Sequence, residues 1–209
     1  MLKQLKTAVL SVLILAVLTG LVFPLVITAI AQAAFPHQAN GSLITRNGTV
    51  VGSELIGQNF TKPEYFHPRP SAAGSGYDAA NSGGTNLGPT SDKLINGIHK
   101  KLPDGNDDPG NFDGIKDLAA AYRQENGLTA DAPLPADAVT RSASGLDPDI
   151  SPENAYLQAA RVAKARGMAV DDVRRLIDDH VSGTRAHVLG EPRVNVLELN
   201  LALDGTKKT

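Results

Sequence analysis

The chain opens on a long apolar block and then changes character. From Thr7 to Thr45 no side chain is charged, and the apolar part of that stretch runs from about Ala8 to Ala34. A bilayer crossing takes roughly 20 apolar residues, so the block predicts one membrane-spanning helix over 7–34. Gly20 and Pro24 fall inside it, and membrane helices tolerate both better than soluble helices do. Lys3 and Lys6 precede the block, and no Lys or Arg follows before Arg46. By the positive-inside rule, residues 1–6 are cytoplasmic and 35–209 form an extracytoplasmic domain. A cleaved signal peptide is the rival reading, because Ala31-Gln32-Ala33 has the small-x-small form of a cleavage site. A signal peptide's apolar region spans only about 7–15 residues, so the uncleaved anchor is preferred. Ala16 and Gly20, four apart, would let a second helix approach closely.

Beyond the anchor the periodicities are short and mixed. Ser42–Thr45 and Thr49–Val51 flank Asn47-Gly48, which predicts a β-hairpin because Asn-Gly suits the positive φ angles of a type I′ turn. Three prolines between Pro63 and Pro70 forbid a central strand and keep that segment extended. Residues 71–89 read as a long loop with Tyr77 and Leu87 as its bulky anchors. Ser91 predicts the start of a helix carrying Leu94, Ile98 and Leu102, followed by a polar insertion over 103–114. Ile115, Leu118, Ala119 and Tyr122 mark a further helix that Gly127 ends. Ser151-Pro152 predicts a helix start and Gly167 its stop. Val170, Val173, Leu176, Ile177 and Val181 define the next helix, ending near Gly183. In Arg193–Leu203, Leu197, Leu199, Leu201 and Leu203 share one side at period two, with Glu198 and Asn200 on the other, which predicts a half-buried strand. The sum is an α+β domain without strict βαβ alternation.

Composition narrows the function classes. There is no Cys, so disulfides and thiolate metal sites are excluded. Twenty Lys+Arg stand against 22 Asp+Glu with no basic block, which argues against a nucleic-acid partner. Aromatics are 4% of the chain, beside 20 Gly and 13 Pro, a balance that suits long turn-rich connections. No Walker-type phosphate loop, no Gly-x-Ser-x-Gly elbow and no His-Glu-x-x-His pattern occurs, so no catalytic residue is assigned. The five histidines are dispersed without an i,i+4 pair, so no metal site is expected. Asp104, Asn106 and Asp108 match the start of a calcium loop, but Pro109 and Ile115 stand where Gly and Glu are needed. The stretch Asn81–Gly88 is the one with a ligand logic: backbone N–H groups in a Gly-rich turn can form an anion nest, and Arg69 is near in sequence. A flexible turn, or a loop shaped to a partner protein, is the plainer reading of the same residues.

Several blocks together resemble the C subunit of the Kdp high-affinity potassium-transporting P-type ATPase of bacteria. They include Gln38–Ile44, Gly52–Gln58, Tyr65-Phe-His-Pro-Arg-Pro-Ser-Ala72, Ser82-Gly-Gly-Thr-Asn-Leu87, Ser144-Gly-Leu-Asp147, Ile150–Pro152, Arg161–Arg166 and Arg193–Asp204. The resemblance implies a non-catalytic subunit of a four-part complex. Its partners would be a channel-like potassium-selecting subunit, a P-type ATP-hydrolysing subunit and a small hydrophobic subunit. One view of that family is a catalytic chaperone raising the ATP affinity of the P-type subunit. It implies a nucleotide or partner loop at Ser82, Gly83, Gly84 and Asn86 with Arg69, and a helper among Gln58, Gln124 and Gln158. The other view is a domain capping the extracytoplasmic mouth of the channel subunit. The topology favours the second, because a triphosphate does not cross a bilayer to an exported loop. No cofactor of its own is expected; ATP would enter through the complex. The alternative is a membrane-tethered domain that binds a solute with the Arg69–Gly88 loop.

Overall fold

The computed structural model describes residues 2–184 and 189–205. The chain divides into two compact units, one ending at Ser53 and the other beginning at Glu54. In the first unit, α1 (Leu2–Val17) and α2 (Phe23–Ala34) form one apolar helix, Leu2–Ala34, with no buried residue. A π turn over Leu18–Val22 joins them. Its cause is Pro24, which has no N–H and whose ring crowds the carbonyl four residues back. The turn widens, and the Phe23 N–H donates to the carbonyl of Leu18. After α2 comes the single turn α3 (Pro36–Ala39), then the hairpin β1 (Leu43–Arg46) and β2 (Thr49–Ser53). Asn47 and Gly48 take φ of 52° and 78°, the conformation their sequence predicts.

The second unit is built on two adjacent helices, α7 (Pro152–Arg166) and α8 (Val170–His180). Ser151 caps α7 through the Asn154 N–H, and Gly167 ends it at φ 67° while the Met168 N–H reaches back to the Ala163 carbonyl. Ala155, Ala159 and Ala163 give α7 a fully buried small-residue face against Val173, Ile177, Val194, Leu199 and Leu203. The shorter helices are α4 (Asp92–Asn96), α5 (Ile115–Glu125) and α6 (Ala136–Val139). A small antiparallel sheet runs in the order β3 (Asp149–Ile150), β5 (Arg193–Asn195), β4 (Val181–Ser182). Strands of two or three residues carry no readable alternation, which is why the sequence pattern misses them.

Two predicted elements are corrected. The predicted strand over 193–203 is a strand only to Asn195; Val196–Gly205 is helix α9. The leucines at period two also supply a helical face, since Val196, Leu199, Asn200 and Leu203 are buried at i, i+3, i+4 and i+7. The decisive signal is the cap: Asn195 Oδ1 accepts the Glu198 N–H at 3.1 Å, and Asn195 with Glu198 has capping-box spacing. The helix predicted to run from Ser91 to Leu102 stops at Asn96, because Gly97 turns the chain at φ 79°. Ile98 then bridges Phe112 and Lys101 bridges Asp107, so the polar insertion folds back as an antiparallel arm.

The extended segment 63–70 reaches the core without joining a sheet. Phe66 is fully buried. Its N–H donates to Asn200 Oδ1 at 2.8 Å, and its carbonyl accepts from Asn200 Nδ2 at 2.9 Å. His67 is held the same way by Gln158, which accepts its N–H at 2.7 Å and donates to its carbonyl at 3.0 Å. Arg161 donates to the carbonyls of Pro63 and Tyr65, and Arg166 to that of Glu64. Among the described residues, every buried side-chain nitrogen and oxygen has a partner. Asn200→Ala would strand two buried backbone groups, so it is expected to destabilise the protein by about 2–5 kcal/mol in urea unfolding.

Candidate functional surface

Four of the five residues singled out by sequence, Arg69, Ser82, Gly83 and Gly84, converge on one strip, Ala143–Asp147. Arg69 Nη1 lies 2.8 Å from Asp147 Oδ2, and its Nε and Nη2 point at the Thr140 carbonyl at 3.4 Å. Ser82 Oγ and the Gly83 N–H both donate to the Ser144 carbonyl, at 3.0 and 2.8 Å. Gly84 packs so close that a Cβ there would stand 2.8 Å from the Ala143 carbonyl oxygen. Gly145, at φ 67°, leaves no room either: a Cβ would meet the Ala73 nitrogen and the Gly83 oxygen at 2.7 Å. Asn86 is exposed with φ 54° and sits at the free end of the run. Ser71 Oγ donates to the Gly145 carbonyl and accepts the N–H groups of Ala73 and Tyr77. The Tyr77 hydroxyl donates to the Arg69 carbonyl at 2.9 Å, and burial, then the Asp147 charge, pushes its pKa up.

One backbone donor of the predicted anion nest, the Gly83 N–H, is thus spent on the Ser144 carbonyl together with the Ser82 hydroxyl, and the Arg69 charge is met by Asp147. The loop is an ordered surface built on the 143–147 strip. Asp147 and Ser144 are the partners that reading by chemistry missed, although Ser144–Asp147 is one of the blocks carrying the resemblance. Of the three candidate helper glutamines, Gln158 is 1% exposed and its amide is used by His67, Asn154 and Arg161.

A groove of about 380 Å³ borders Arg69, with Phe60, Tyr77 and Tyr122 as aromatic lining and the hydrogen-bonded pair His67 and Glu125 on its wall. His67 Nδ1 is 2.8 Å from Glu125 Oε1, while Nε2 meets the Lys62 carbonyl at 2.9 Å. The His67 hydrogen bond, reinforced by the charges of His67 and Arg161, holds the Glu125 carboxyl below its usual range against the opposing effect of burial. A second cavity, about 710 Å³, is lined by Glu54, Asp149 and Glu198 together with Arg193, which pairs with Asp149 at 3.1 Å. Burial raises both Asp149 and Glu198, and the Glu54 charge adds to the rise at Glu198.

For cations, the structure brings together His99, Asp113 and Asp117, whose donor atoms lie within 4.8 Å of one another. His99 Nε2 is already 2.9 Å from Asp117 Oδ2, which also accepts the Gly114 N–H, so an internal ion pair accounts for the grouping. Asp104 and Asp108 turn their carboxylates onto Asn106 and Gly110 of their own turns.

A 33-residue apolar helix with no buried residue, long enough to cross a membrane, is followed by an α+β unit. The chain belongs to the KdpC family, described as the c chain of the K+-transporting ATPase, whose model matches residues 5–205. It is 50% identical over 205 residues to the potassium-transporting ATPase KdpC subunit of Koribacter versatilis, covering 98% of this chain and 96% of that one. A Caulobacter vibrioides protein of the same name is 54% identical over 205 residues, 98% and 94% of the two chains. A third, from Mycobacterium bovis, is 50% identical over 202 residues, 97% and 98%.

Gly145→Ala is expected to cost about 1–3 kcal/mol, from a strained φ on top of the clash, whereas Gly88→Ala, with open space around it, should stay within about 0.5 kcal/mol. The depressed Glu125 carboxyl contributes stability that is present above its unfolded value, about 4.3. That contribution is lost as pH falls through the lower folded value. Acid titration of Glu125→Gln should therefore show a shallower fall in stability below pH about 4 than the parent.

Proposed function

We propose that the chain is a non-catalytic accessory subunit that assembles and stabilises an ATP-driven, high-affinity potassium uptake complex in a bacterial inner membrane. Residues 1–6 face the cytoplasm, 7–34 cross the bilayer, and 35–209 lie on the extracytoplasmic side. The partners are the channel-like potassium-selecting subunit, the P-type ATP-hydrolysing subunit and the small hydrophobic subunit. The relatives' names support a place in such an ATPase. The observation that carries the accessory role is the fastening of Arg69 and the Ser82–Gly84 run to Ala143–Asp147. A long Gly-rich loop held rigid by its own domain is a preformed contact surface, and its ordering cost is met before any partner arrives.

A catalytic-chaperone role, raising the ATP affinity of the P-type subunit, is the second reading, carried by the same Ser82-Gly83-Gly84 run. The Ser144 carbonyl already takes the Ser82 hydroxyl and the Gly83 N–H, which supports an influence on ATP exerted through a partner over direct nucleotide binding. A reporter enzyme fused after Thr209 should be active only outside the cytoplasm, and cytoplasmic activity would refute the topology. The purified chain should bring down the larger subunits yet neither hydrolyse ATP nor retain it in equilibrium dialysis. Deleting residues 1–34 should weaken that co-purification; unchanged assembly would show that the helix plays no part in it.

A further inference from the structure

We propose that the β1–β2 hairpin is a lipid-resting foot. One face of it lies in the glycerol and ester layer of the bilayer, at the leaflet where the apolar helix ends. The register defines that face. Leu43 pairs with Ser53 and Thr45 with Val50, the irregularity falling between Ile44 and Thr45. Cross-strand partners point to the same side and alternate residues share a face, so Leu43, Thr45 and Val50 stand together. Leu43 is 49% exposed and Val50 53%. Among the described residues no third strand joins the pair, and a two-stranded hairpin is marginal alone in water. A bilayer surface supplies the missing apolar side.

The foot is continuous with the helix that enters the membrane. Phe35, 60% exposed, follows directly on Ala34, the last residue of α2. The connection is bolted: Gln32 and Asn40 exchange two side-chain hydrogen bonds at 3.2 Å, and Asn40 Nδ2 donates to the Pro36 carbonyl at 2.7 Å. The Ser42 N–H donates to the His37 carbonyl, and Ser53 Oγ to that of Gly41. The hairpin is thereby held at the helix end. Length agrees: the 33-residue helix measures about 50 Å, against about 40–45 Å for a bilayer with its headgroups. An ordinary tilt then sets Ala34 and Phe35 at headgroup depth. Charge agrees too, since residues 1–53 contain no Asp or Glu that an anionic surface would repel.

The absence of cysteine allows a direct test on the full chain. Single variants Leu43→Cys, Val50→Cys and Thr49→Cys, all at exposed positions, are spin-labelled and reconstituted in phosphatidylethanolamine–phosphatidylglycerol vesicles. Collisions with lipid-soluble oxygen and with a water-soluble nickel chelate are then compared. Labels at 43 and 50 should favour oxygen several-fold over the label at 49. Equal ratios at all three would overturn the proposal. So would shielding of 43 and 50 that arises only when the partner subunits are present, because that outcome assigns the face to protein. The test needs only the helix in the bilayer, so it stands apart from the accessory role and from the choice of leaflet.

Discussion

Three prolines between Pro63 and Pro70 set the constraint on which the second unit depends. They bar the segment from a sheet, yet Phe66 is driven to the centre of the core. Its backbone must therefore find partners from side chains, and a buried polar group left without one costs about 1–3 kcal/mol. The response is built into two helices. α7 carries Gln158, Arg161 and Arg166 toward the segment, and α9 carries Asn200. Each amide side chain copies the donor–acceptor pair of a neighbouring strand. Gln158 and Asn200 are each 1% exposed and spend their amides on the segment, so their burial and its order depend on each other.

That mutual dependence explains which elements could be read from the residues. Where local chemistry decides, the reading holds: the Asn47-Gly48 turn, the Ser151 cap and the Gly167 stop all act within a few residues of themselves. The apolar helix holds for the same reason, since its length needs no partner. The end of the chain fails because its leucine pattern satisfies both periods. Tertiary demand settles it in favour of the helix, which turns Asn200 inward to meet Phe66. An alternating strand would have pointed Asn200 outward. The three-stranded sheet was illegible because its strands, two or three residues each, are too short to alternate, and β3 finds its partner β5 more than forty positions away.

The candidate loop shows the same division. Glycines and a nearby arginine were visible as chemistry, but their use is decided by residues 59 to 78 positions away in sequence. Composition speaks for a flexible turn or an anion nest. The fold spends the Ser82 hydroxyl and the Gly83 N–H on the Ser144 carbonyl, pairs Arg69 with Asp147 and brings Gly84 too close to Ala143 for any side chain. Only the matching order of the Arg69, Ser82–Leu87 and Ser144–Asp147 blocks hinted that these stretches act as one piece.

A polar interior of this kind costs more to assemble than an apolar one of the same volume. Its return is uniqueness: Tyr122, Asp137 and Gln158 all bond Asn154, and a shift of any one leaves another unpaired. Such a network tolerates few alternative packings. A domain that turns over substrate can concentrate rigidity around a few reacting atoms. One whose work is to present a surface needs it across the whole framework beneath that surface. The contacts seen here are spread out, with amide and guanidinium groups running from Asn126 through Arg161 and Gln158 to His67, and from the adjoining Phe66 on to Asn200. Rigidity spread in this way supports a contact surface better than it supports a catalytic cleft.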